Sequence, residues 1–152
     1  MTQVEIPRSV FVCKNLIGGE WREGAGAELL EVVSPWNGKI IGSVPLSNAG
    51  DVAAAVALAA PAAAEWRLVP LKERTQLLFR FRELVVQSAE RLAHSAAAEA
   101  GKTFAEAYAG VQKGIEVIEF ALSLQNLDDG GASEVSRGVT CEVRREPLGV
   151  VA

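Results

Sequence analysis

Histidine occurs once in this chain, at position 94, and cysteine only twice, at positions 13 and 141. One histidine is too few for a histidine-built metal centre. Two distant cysteines without a C-x-x-C partner suggest neither a disulfide framework nor a zinc site. Basic clusters are lacking as well. The densest spots, Arg74/Arg80/Arg82 and Arg144/Arg145, alternate with acidic or apolar residues, and the net charge is −4. A nucleic-acid partner, which calls for a basic face, is not expected. No long apolar run is present: "VAAAVALAAPAAA", Val52 to Ala64, has 13 residues, is mostly alanine and contains Pro61. It is too short and too weakly apolar to cross a bilayer. The start, "MTQVEIPRSVFVCKN", shows no basic stretch followed by an apolar one, so no signal peptide is visible. The expectation is a cytoplasmic chain with no membrane and no nucleic-acid partner.

The 152 residues are 49% hydrophobic and 22% charged, which suits one globular domain able to bury a core. Up to about Pro45 the pattern is strand-like. "LIGGEW" reads as a hairpin turning at Gly18-Gly19. "LLEVVSPWNGKIIGSV" repeats that form around Pro35 and Asn37-Gly38. From 48 to 127 the pattern is helical. Asn48 and Asp51 offer a capping box for a helix to about Trp66, which Pro61 should kink or interrupt. Leu71, Thr75, Leu78, Phe81, Leu84 and Val85 recur at helical spacing. Ser88 can cap a continuation that Gly101 closes, and Thr103 with Glu106 is a second capping box. Gly110 and Gly114 inside the last helix suggest close approach of another backbone. After the linker "LDDGGAS", Val135, Arg137, Val139, Cys141 and Val143 alternate with polar residues and read as one two-faced strand. Pro147 ends it. "LGVVA", 148–152, reads as the start of a strand buried on both faces.

Candidate chemistry is sparse. "AGKT", Ala100 to Thr103, is similar to the tail of a phosphate-binding loop, but the required earlier glycine is Ala96 and no strand precedes it. A helix junction explains it. "GAGAEL" at Gly24 has two glycines in G-x-G spacing, lacks the third, and reads as a surface turn. Cys13 and Cys141 are candidate nucleophiles, read here as buried structural thiols because no histidine lies near either in sequence. His94 is a candidate base without a visible partner, and reads as a structural or surface residue. Glu116 and Glu119 could pair as carboxylates, or lie on a solvated face. Trp21, Trp36 and Trp66 read as packing residues. The residues alone define an α+β domain and no reaction.

Taken in order, "LIGGEW", "SPWNGKIIGSVPL", "DVAAAVALAAPAAAEW", "ERTQLLFRFRELVVQSAERLA", "EAGKTFAEA" and "REPLGVVA" resemble the N-terminal portion of the aldehyde dehydrogenase superfamily, from about Leu16 to Ala152. "VQKGIEVIEFA" and "EVSRGV" look most like the CoA-acylating methylmalonate-semialdehyde dehydrogenase branch. The resemblance implies an α/β fold: residues 1–127 as part of an NAD-binding domain, with hairpins over 14–45 and three to four helices over 48–127. It further implies an oligomerisation arm over 133–147, and 148–152 as the first strand of a Rossmann-like dinucleotide sheet that is incomplete here. Family enzymes use NAD or NADP. A cysteine thiolate attacks the aldehyde, hydride passes to the nicotinamide, and water or coenzyme A resolves the thioester. An asparagine and a backbone N–H form the oxyanion hole, and a glutamate often serves as base. Those positions follow the stretch that matches 148–152, so no catalytic, cofactor-binding or metal-binding residue is carried over. The chain departs from the family at Ser34-Pro35 (often Asn-Pro), at Asn37-Gly38-Lys39 (usually Thr-Gly-Glu) and at Gly110 (usually glutamate).

Two functions are in competition, and a third, an independent nucleotide-binding domain, rests on "AGKT" alone. One is the N-terminal segment of an aldehyde dehydrogenase, inactive by itself and binding no cofactor tightly. The other is a naturally short, non-enzymatic interaction module that self-associates, or pairs with a full-length homologue, through the strand from Ser133 to Glu146. Poor solubility is expected in either case.

Overall fold

The computed structural model describes residues 11–26, 28–126 and 130–152. The leader reading of the first ten residues and the opening of the "LDDGGAS" linker lie outside these.

Backbone pairing builds three small sheets from the β-rich sequence. Strand β1 (Phe11–Val12) runs parallel to β5 (Ile40–Pro45), which pairs antiparallel with β4 (Leu29–Val33). The turn between β4 and β5 closes on itself: Gly38 donates its N–H to the Ser34 carbonyl at 2.9 Å, and the Lys39 N–H is held by Asn37 Oδ1 at 2.9 Å. Strands β2 (Asn15–Ile17) and β3 (Glu20–Arg22) form the expected hairpin around Gly18-Gly19, both at positive φ.

Four helices follow. Helix α1 (Ala49–Trp66) begins with the expected capping box: Asn48 accepts from Gly50 and Asp51, and Asp51 accepts from Asn48. Asp51 also accepts the Ala25 N–H at 3.1 Å, tying the loop before β4 to the helix. The expected interruption at Pro61 does not occur, and the helix runs through it. Proline costs one hydrogen bond there, and the surrounding alanines have the highest helix propensity.

Helix α2 (Leu71–Gln87) is separated from α3 (Ala89–Ala100) only at Ser88. Ser88 makes no side-chain cap, contrary to expectation; its N–H instead continues the ladder to Leu84 and Val85. Helix α3 ends at Gly101 in the left-handed conformation, φ +68°, and α4 (Phe104–Ser123) starts from the Thr103–Glu106 capping box.

The core lies where α3 crosses α4, and it is built of small residues. Ala93, Ala97 and Ala107 are buried together, flanked by Phe104, Tyr108 and Val111. Ile115 and Leu122 extend it along α4. Thr75 is buried on α2, where its hydroxyl bonds the Lys72 carbonyl at 2.8 Å and meets Gln125 Oε1 at 3.0 Å. Gly101 is locked from outside: a Cβ there would lie 2.6 Å from Pro35 Cγ. The β4–β5 turn therefore rests on the α3–α4 junction. Gly110 and Gly114, by contrast, face open space, so no backbone among the described residues exploits them. The tryptophans read as packing residues are exposed at 69, 55 and 42% for Trp21, Trp36 and Trp66. No other layer among the described residues covers the elements that carry them.

The C-terminal part differs most from expectation. The single strand over 133–146 is a hairpin of β6 (Gly131–Ser136) and β7 (Val139–Val143). Gly138, at φ +74°, makes the reversal, and its N–H bonds Glu134 Oε1. Period-2 alternation survives a two-residue turn, which is why the sequence conceals it. Residues 148–152 are exposed and form no strand. A strand is defined by its neighbours, and none of the described residues offers one.

Candidate functional site

Each candidate residue has a definite place. Glu116 and Glu119 do not act as a carboxylate pair. Glu116 is bound by Lys113, and Glu119 accepts from Arg82 Nη2 at 2.6 Å and Nε at 3.0 Å. The second pairing bridges α4 to α2 and borders a cleft of about 590 Å³ that also touches Phe79, Ser123 and Gln125. The Arg82–Glu119 pair ties α2 to α4, while Lys113–Glu116 lies within α4.

"AGKT" is the α3–α4 junction. Gly101 is the αL cap and Thr103 the N-cap. Glu106 accepts from the Thr103 hydroxyl at 2.8 Å and from the Thr103 N–H at 3.0 Å. The Thr103 hydroxyl, then its N–H, then the charge of Lys102 hold the Glu106 carboxyl below the ordinary glutamate value. The αL cap and Pro35 occupy the position where a nucleotide phosphate would need open glycine backbone. No phosphate cradle exists here.

Cys141 was expected on a buried face and is exposed, on β7 opposite Ser133. The hairpin lies bare on both faces, and Val135, Val139 and Val143 are 62, 53 and 60% exposed. A two-stranded ribbon with an uncovered apolar face is marginal alone. Its root carries an ion pair from Glu146 to Arg67, at 3.3 Å, at the end of α1.

Cys13 and His94, far apart in sequence, line one cleft of about 490 Å³ between the β1–β5–β4 sheet and α3. Sequence reasoning missed this meeting because 81 positions separate them (94 minus 13). Only the packing of the sheet on α3 brings them together. Cys13 is half-buried and its N–H bonds the Ser43 carbonyl at 2.9 Å. His94 packs its ring on Phe104, centroids 4.5 Å apart. Among the described residues no group of three or more histidine, cysteine, aspartate or glutamate side chains is placed to hold a metal. No described helix is long and apolar enough to cross a membrane.

Small sheets beside a helical layer, an α3–α4 glycine junction and a protruding hairpin define an α/β architecture. The aldehyde dehydrogenase family model matches residues 21–152. The chain belongs to the aldehyde dehydrogenase family. Malonate-semialdehyde dehydrogenase 1 of Geobacillus kaustophilus is 42% identical over 142 residues, 93% of this chain and 29% of that protein. A Sinorhizobium meliloti protein described as a methylmalonate-semialdehyde dehydrogenase, solved with NAD, superposes with a TM-score of 0.79 at 26% identity. That match covers 84% of this chain and 26% of the other. The succinate-semialdehyde dehydrogenase of Burkholderia pseudomallei gives 0.76 at 31% identity, over 81% of this chain and 26% of its own. The chain thus spans about 29% of the length of the Geobacillus relative.

Proposed function

We propose that this chain is the N-terminal segment of an NAD(P)-dependent aldehyde dehydrogenase that oxidises a malonate- or methylmalonate-type semialdehyde and passes the acyl group to coenzyme A. The observation that carries the proposal is the 42% identity to a malonate-semialdehyde dehydrogenase over 93% of the chain. The Sinorhizobium neighbour solved with NAD supports the cofactor class. When bound, such a cofactor takes up the hydride of the aldehyde.

The residues in hand do not fit that cofactor. The Gly101 junction is closed by Pro35, and among the described residues 148–152 has no sheet around it. No step of the reaction is therefore assigned to them. Their part is to supply the helical layer and the hairpin. We infer that the hairpin over 133–146 joins a partner chain, a reading supported by its uncovered Val135, Val139 and Val143.

The test is NADH formation at 340 nm with malonate semialdehyde and its methyl homologue, with and without coenzyme A. Residues 1–152 alone should give none. A protein carrying them ahead of the rest of the family sequence should turn over, release an acyl-CoA, and keep its rate when Cys13 and Cys141 are replaced by serine. Loss of the chemical step in either serine variant would refute the reading that both thiols lie outside the reaction.

A further inference from the structure

The cleft between the sheet and α3 has a chemical character that none of the preceding functions uses. Its walls are apolar, supplied by Val32, Ile41 and Val44 of the sheet and Ala98 of α3. Arg91 and His94 line it too. They are three residues apart on α3, hence neighbours on one helical face. The His94 ring is fixed by its packing on Phe104, and its Nδ1 is buried with no hydrogen-bond partner among the described residues. Arg91 has no ion pair among the described residues. Glu99, which also lines the cleft, lies eight positions beyond Arg91. That is about 12 Å along the helix axis. The cleft therefore combines a guanidinium without an ion pair, apolar walls and a carboxylate farther along α3. Its volume of about 490 Å³ is in the range of small-molecule sites.

We propose that this cleft binds a short-chain carboxylate, with the carboxylate at Arg91 and the hydrocarbon tail along Val32, Ile41 and Ala98. A guanidinium pairs a carboxylate through two parallel N–H donors. The proposal does not depend on the aldehyde reaction.

Cys13 lines the same cleft and Cys141 sits on the exposed hairpin, so the protein carries its own reporter and control. The full chain is treated with iodoacetamide and the two thiols are followed by peptide mass spectrometry. Titrations use sodium butyrate, with sodium chloride holding ionic strength and butyramide as the uncharged analogue. At a butyrate concentration about twice Kd, Cys13 alkylation should slow about threefold while Cys141 is unchanged. Butyramide should protect far less. Arg91→Gln should abolish protection and Arg91→Lys should keep part of it, with thermal melts showing both variants folded. Unchanged Cys13 kinetics, equal slowing at both thiols, or equal protection by butyramide would overturn the proposal. So would a Cys13 that reacts only after residues 1–10 are removed, because the chain's own start would then fill the cleft.

Discussion

Gly101 carries two constraints at one residue. Its φ of +68° suits glycine, and the Cβ it lacks would sit 2.6 Å from Pro35 Cγ. The left-handed conformation alone costs an L-residue about 1–2 kcal/mol. Gly101→Ala should lower urea-unfolding stability by at least that amount, with the Pro35 overlap adding to it. An unchanged midpoint would mean the turn and the junction do not touch. Two residues on, the Thr103–Glu106 box sets a pH dependence. Glu106 has its folded pKa lowered, chiefly by the Thr103 hydroxyl. Its contribution is complete above the unfolded glutamate value, about 4.3, and is lost as pH falls through the folded value. Stability should therefore decline as the solution is acidified below the ordinary glutamate range. Glu106→Gln should flatten that part of the profile. Thr103→Ala should cost about 1 kcal/mol.

At the level of elements, α4 and the β6–β7 hairpin show opposite relations to sequence pattern. The helix was legible in its Thr103–Glu106 cap and its periodicity, which follow local rules that need no partner. Its two glycines were the exception, since the sequence suggested a backbone neighbour and the fold leaves open space. Gly110→Ala and Gly114→Ala should each raise the stability of this chain by up to ~1 kcal/mol. A loss in either would point to a tight contact outside the described residues. The hairpin was read as a strand because alternation alone cannot register a two-residue reversal at Arg137-Gly138. Val139→Lys with Val143→Lys should reduce self-association in sedimentation velocity without changing the helical signal. Equal association in the double variant would place the contact elsewhere, with the bare Phe81, Leu84 and Phe120 of α2 and α4 as the next surface.

For the whole molecule the decisive quantity is surface. The chain exposes 11,811 Å² at 16.1 kDa. A self-contained monomer of that mass would expose about 7,400 Å². The buried residues are mostly alanines, while Trp21, Leu84, Phe120 and Val143 are more than half exposed. Purified 1–152 should therefore associate or precipitate. A sharply melting monomer in sedimentation would contradict this.

Local physics was enough for the hairpin at Gly18-Gly19, the caps at Asn48 and Thr103, and the stop at Gly101. Each depends on groups a few residues apart, so the sequence by itself determined them, together with the ordered segments that mark the family. Tertiary structure alone decided that Cys13 and His94 share a cleft, that Pro35 closes Gly101, and that Cys141 and the tryptophans are exposed. Burial is not a property of a residue's type. It is set by which distant surface arrives to exclude water, and in this chain that surface reaches the alanines of α3 and α4 but not the large apolar side chains around them.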